Sequence, residues 1–309
     1  MIIDCHNDSL TAFRAGREVR GPGSCGHLDL ARLRAGRVDL AFFACFVEPA
    51  SQIVATHRTL ALIDTFWQMV EENPTLVFPV MGKQDLKLLG HGRTGCLLSM
   101  EGGEGLGGDV GLLRCFFRLG VRAITLTWNN RNLLGDGVGE QGTRSRLTNF
   151  GVAVIEQMNE LGMVVDLAHL SERCFYHVLE CSTAPVLVSH SNARALCDHP
   201  RNLSDEQICA VGERGGLVAV TFVSPFLVKG RAAQVHDVVD HIEHIAALIG
   251  VDGVAIGSDF DGTDELAAEL YDVAQMPRLR RELGKRFSAL EVEKIMGGNV
   301  LRLLQQVLP

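Results

Sequence analysis

The strongest constraint on this chain is a rhythm. Eight short apolar runs, at 2–5, 40–46, 96–100, 123–128, 163–167, 185–189, 217–222 and 254–257, recur with helix-length segments between them. Each run is nearly continuous rather than alternating, as a strand reads when both its faces are buried in a parallel sheet. The segments between carry helical spacing. In 148–161, Phe150, Val152, Val154, Ile155, Met158 and Leu161 share one face, and in 234–249 Val235, Val238, Val239, Ile242, Ile245, Ala246 and Ile249 share another. Ser171 and Ser204 stand at expected N-caps, and Gln207 makes Ser204 a capping box. Gly162, Gly216 and Gly250 fall at or just after helix ends, where glycine accepts a left-handed conformation.

Eight strands alternating with helices predict an α/β chain folded as a (β/α)8 (TIM) barrel. A doubly wound open sheet is the alternative, usually with fewer strands and a glycine-rich phosphate loop. No G-x-G-x-x-G precedes a helix here, and the glycine-rich stretch 102–108 lacks the P-loop lysine. No domain boundary is visible, so 1–309 reads as one catalytic barrel domain. The longest loop candidates are 19–27, 129–146 and 222–233.

A net charge of −8 with no basic cluster argues against nucleic acid as a partner. The nine cysteines are odd in number and include no C-x-x-C, which predicts a reducing compartment and no disulfide framework. No basic segment followed by an apolar stretch opens the sequence, and no run of eighteen apolar residues occurs. The expectation is a cytoplasmic chain with no signal peptide and no membrane span.

A barrel gathers the C-terminal ends of its strands at one mouth. His6 and Asp8 end the first run, and positions i and i+2 of a strand point to the same side. Glu101 ends the third run and Asp166-Leu167-Ala168-His169 the fifth; His190 follows the sixth, and Asp259-Phe260-Asp261 the eighth. Any one charge after a strand is simply where the chain meets solvent. Five such ends converging predict a metal site. Three histidines with several carboxylates suit Zn²⁺, and a carboxylate between two metals can bridge them. Of the other histidines, His241 and His244 lie among Asp237, Asp240 and Glu243 and read as a solvated helix face. His199 precedes Arg201 shortly after the sixth run and falls near the mouth.

Six motifs occur in order along nearly the whole chain: His6-Asn7-Asp8, Met100-Glu101-Gly102-Gly103, Asp166-Leu167-Ala168-His169, Val188-Ser189-His190-Ser191, Arg201-Asn202-Leu203 and Gly257-Ser258-Asp259-Phe260-Asp261-Gly262. As a set they resemble the membrane (renal) dipeptidase family, the M19 metallopeptidases, in a bacterial-type form. The resemblance implies two zinc ions per chain, one on His6 and Asp8 and the other on His169 and His190, with Glu101 bridging. It implies a metal-shared hydroxide attacking the peptide carbonyl of a small dipeptide, L,D pairs included. Asp259 would move the proton, with Asp261 as the alternative in the same turn. Arg201 would receive the substrate carboxylate, a task its planar fork suits.

This sequence departs from the mammalian members at the fourth strand, where Trp128 stands in place of a substrate-binding histidine. That leaves Trp128 and Asn129 as candidate substrate contacts. Glu104 stands where the family often has histidine. The anchor and disulfides of the mammalian enzymes are not carried over; a homodimer is. Two other readings stay open: a binuclear metal amidohydrolase acting on N-acyl amino acids, cyclic amides or lactones, and a non-catalytic barrel.

Overall fold

The computed structural model describes residues 1–21, 25–48 and 52–309, so part of the predicted loop 19–27 lies outside the described residues. Among the described residues there are nine parallel strands: β1 Ile3–Asn7, β2 Leu40–Phe46, β3 Val77–Pro79, β4 Thr94–Glu101, β5 Val121–Thr125, β6 Val164–Asp166, β7 Leu187–Ser191, β8 Leu217–Val220 and β9 Val254–Ile256. Their order is β1-β2-β4-β5-β6-β7-β8-β9, with β3 paired only to β4. A parallel bridge from Asn7 to Phe260 joins the last strand's continuation to the first. Asp8 N donates to Phe260 O at 2.9 Å there. This is the (β/α)8 barrel that the eight apolar runs predict.

The runs are continuous because each strand feeds two cores. Leu40 and Phe42 of β2 join Ile3, Cys5, Leu97, Val164, Leu187, Leu217, Ala219 and Ala255 in one cluster. The intervening Ala41, Phe43 and Cys45 pack outward with the helices. The C-terminal helix Asn299–Val307 joins the first cluster through Val300, Leu303, Leu304 and Val307. Each fully buried aliphatic side chain there contributes about 1.5–3 kcal/mol.

Local sequence signals set the helix ends. Ser171 caps Glu172–Cys181, and Ser204 forms the predicted box with Gln207. Gly162 is left-handed at φ 71°. At the next turn the left-handed glycine is Gly215 (φ 65°) rather than Gly216, so that expectation is off by one residue.

Most strand limits shift by one to three residues from the predicted runs. The fourth run stops at Thr125, which puts Trp128 in the following loop, and the sixth starts at Leu187. β3 escaped the pattern because it is three residues long and ends in proline. Among the described residues, no helix is long and apolar enough to cross a membrane.

Candidate metal centre

Five strand ends deliver their polar side chains to one buried cluster. Glu101 lies at its middle. Its Oε1 is 2.8 Å from His169 Nε2 and 3.7 Å from His190 Nε2, and its Oε2 is 3.6 Å from His6 Nε2. The two carboxylate oxygens therefore face two different sets of nitrogens. His6 Nε2 is 3.3 Å from Asp8 Oδ2 and 3.9 Å from Asp259 Oδ1. His169 and His190 bring their Nε2 atoms within 2.8 Å of each other, and the His6 and His190 rings lie 3.8 Å apart. Two donor groups, His6–Glu101–His190 and His6–Asp8–Asp259, are each compact enough to hold an ion.

The chemistry of this donor set fits a cation. Burial pushes Glu101 up to about 8, with the Asp8 carboxylate adding to it. Burial also holds His169 and His190 well below the ordinary imidazole value, so both are neutral and offer lone pairs. Burial opposes charge on His6 too, but Asp8 and Glu101 more than reverse that and hold it well above its ordinary value. Crowded carboxylates that draw positive charge onto a buried imidazole form a site demanding a cation. Asp8 Oδ1 is buried with no hydrogen-bond partner among the described residues, an atom a metal ion would satisfy.

The ligands are aimed by a second layer. Asn129 Oδ1 accepts from His169 Nδ1 at 2.8 Å, and Ser189 Oγ pairs with His190 Nδ1 at 2.7 Å. Each leaves Nε2 facing the cluster, the usual arrangement behind a ligating histidine. His169 sits at φ 65°, and its carbonyl accepts from Val138 N at 2.7 Å. Two buried carboxylates tie the strand ends together. Asp166 accepts from Ala168 N, Ser189 N and Thr125 Oγ1. Asp4 accepts from Ser258 N at 2.8 Å and Ser258 Oγ at 2.6 Å, joining β1 to the turn after β9. The sequence reading missed Asp4, which sits inside an apolar run with nothing to separate a latch from an edge residue.

Of the two aspartates left open in the last turn, Asp259 faces the cluster. Burial raises it to about 6. Asp261 is bound to Arg17, Ser9 and His27 instead. Arg201 is 7% exposed, and its Nη2 donates to the carbonyl of His190 at 3.2 Å. Its guanidinium lies 5.8 Å over Phe226, which stacks on His199 at 4.2 Å. Trp128 lies beside the cluster, its ring 6.2 Å from that of His169 and 5.4 Å from that of Phe46. Glu104 accepts from Asn132 Nδ2 at 3.3 Å, and burial raises its pKa.

One histidine departs from the sequence reading. His241 is not solvated but 1% exposed. Its Nδ1 accepts from Ala193 N and its Nε2 donates to Leu227 O, both at 3.0 Å. The loop bearing the short helix Ser224–Leu227 covers it. Helical phase alone did not reveal that cover. His244 pairs with Asp205 at 2.8 Å.

A family model described as membrane dipeptidase (peptidase family M19) matches residues 1–308. The chain belongs to peptidase family M19. A dipeptidase, verJ, of Clonostachys rogersoniana is 33% identical over 330 aligned positions, covering 99% of this chain and 84% of that protein. The crystal structure of an M19 metallopeptidase, dipeptidase AC, superposes with a TM-score of 0.94 at 28% identity, over 99% of this chain and 98% of that one. The chain also superposes on a metallopeptidase from Rhodobacter sphaeroides liganded with a phosphinate mimic of the dipeptide L-Ala-D-Ala. That match has a TM-score of 0.93 at 26% identity and covers 99% of both chains. This M19 chain is accordingly a metallopeptidase of the dipeptidase type.

Proposed function

We propose that this M19 member is a zinc dipeptidase cleaving small dipeptides with a free C-terminal carboxylate, L,D pairs among them. The observation that carries the reading is Glu101, one oxygen toward His169 and His190 and the other toward His6. His6 and Asp8 would hold one zinc and His169 and His190 the other, with Glu101 shared; imidazole with carboxylate is a zinc donor set. Bound there, two such ions would supply Lewis acidity, polarising a carbonyl and lowering the pKa of water so that hydroxide is available near neutral pH. The inclusion of L,D pairs draws support from the ligand of the R. sphaeroides protein, a mimic of L-Ala-D-Ala.

The chain's own residues supply the rest. Arg201, buried beside His190, binds the substrate carboxylate and so sets which bond reaches the centre. Asp259, raised to about 6, takes the proton from the attacking water and returns it to the departing amine. Asn129 orients His169. Trp128 presents an indole wall to the substrate in place of a titratable side chain. On this reading the protein works in the cytoplasm as a homodimer.

Arg201→Ala tests the substrate assignment. KM for a dipeptide should rise about 100-fold, since a charge-assisted bidentate contact is lost. KM for the same dipeptide with an amidated C-terminus should hardly move. An equal effect on both substrates would favour a broader amidohydrolase.

A further inference from the structure

Asp259 has no side-chain hydrogen bond among the described residues; its nearest charged partner is His6 Nε2 at 3.9 Å. Its position is set by the backbone of 258–262. Asp259 and Asp261 both sit at φ 66°, a region that side chains rarely adopt. A turn with two such residues persists only where its surroundings over-determine it.

Asp261 supplies that determination. Its carboxylate accepts from Ser9 Oγ, from both terminal nitrogens of Arg17 and from the backbone N of His27. Its own N donates to His27 Nδ1 at 3.0 Å. Arg17 is fixed in turn, donating to Leu28 O at 3.0 Å with its guanidinium 5.0 Å over Phe13. The pair is enclosed, with the Asp261 side chain 3% and that of Arg17 10% exposed. Ser9 directly follows Asp8, so one carboxylate ties the Asp8 side of the centre to the Asp259 side.

We propose that the Arg17–Asp261 ion pair is a positioning device that sets where Asp259 stands relative to the ligands on β1. The inference rests on the reading of Asp259 as the proton carrier. Neither Arg17 nor Asp261 touches the cluster; both act through the turn. Glu101, His169 and His190 stand at the ends of other strands, so loss of the clamp leaves these three ligands in place while displacing the proton carrier relative to them.

The test uses the zinc-loaded full chain and reads kcat, KM and bound metal on a dipeptide. Arg17→Ala and Asp261→Asn should each lower kcat about 100-fold, the scale of a misplaced group, with KM and metal content unchanged. Arg17→Lys, which keeps the charge but not the fork, should recover about tenfold of that. In an Asp259→Asn background Arg17→Ala should cost nothing more, because residues acting through one group are not additive. The near-isosteric Asp261→Asn keeps the test alive if Arg17→Ala does not fold. Full kcat in Asp261→Asn beside an inactive Asp259→Asn would overturn the clamp alone. So would an unchanged Arg17→Ala penalty in the Asp259→Asn background, or loss of metal in step with kcat. An Asp259→Asn variant as fast as the parent would instead overturn the reading of Asp259 itself.

Discussion

Asn129 Oδ1 accepts the Nδ1 proton of His169 at 2.8 Å, which turns His169 Nε2 toward Glu101. The asparagine thus decides the tautomer of a residue forty positions away. Asn129→Ala should weaken zinc binding about 10–100-fold, the usual cost of losing such a partner. Asn129→Asp, which still accepts, should retain most of the affinity. Competition against a chelator of known affinity measures both.

Gly262 closes the turn against two carboxylates. A Cβ there would lie 2.3 Å from Asp259 Oδ1 and 2.4 Å from Asp8 Oδ2. Gly262→Ala should therefore displace one of these groups and lower kcat/KM by about 100-fold. The conflict is confined to two side chains, so the thermal midpoint should move little. Steady-state kinetics with a melting curve on the same sample checks both halves.

Asp4 makes stability depend on pH. Burial raises it from 3.8 to about 6, even though Ser258 favours its charged form. The folded pKa lies above the unfolded one, so between these values the folded chain holds more protons. Stability is then lost as pH rises through this window, by about 3 kcal/mol for this group. Asp4→Asn should remove that slope, gaining on the parent from pH 4 to pH 7. Urea unfolding across the range, with zinc present throughout, reads the difference.

His241 pairs with Ala193 N and Leu227 O inside the structure. His241→Leu fills the space but strands both groups. The variant should lose about 2–6 kcal/mol, at roughly 1–3 kcal/mol per unsatisfied group. Denaturant titration gives the value, and a solvated histidine would give almost none.

The barrel was legible because double burial makes parallel strands read as unbroken apolar runs, such as 40–46 and 217–222. The polar cluster was legible because His6, Glu101, His169, His190 and Asp259 each stand just after such a run. What could not be read depends on partners far away in the chain. Asp259 and Asp261 look alike in sequence; Arg17, 244 positions off, separates them. Asn129 reads as a candidate substrate contact, and its hydrogen bond to His169 shows only once the two are placed side by side. Asp4 passes for part of an apolar strand until Ser258 closes on it. His241 has the phase of an exposed helix face, and only the loop packed over it makes it buried.

Metal titration of dipeptide hydrolysis tests the central claim most directly. Protein stripped of metal is titrated with Zn²⁺ while cleavage of L-Ala-L-Ala and L-Ala-D-Ala is followed. Activity should start near zero and saturate at about two equivalents per chain, the number Glu101 can bridge. Hydrolysis by stripped protein at the full rate, or none of either dipeptide at saturating zinc, would contradict the account.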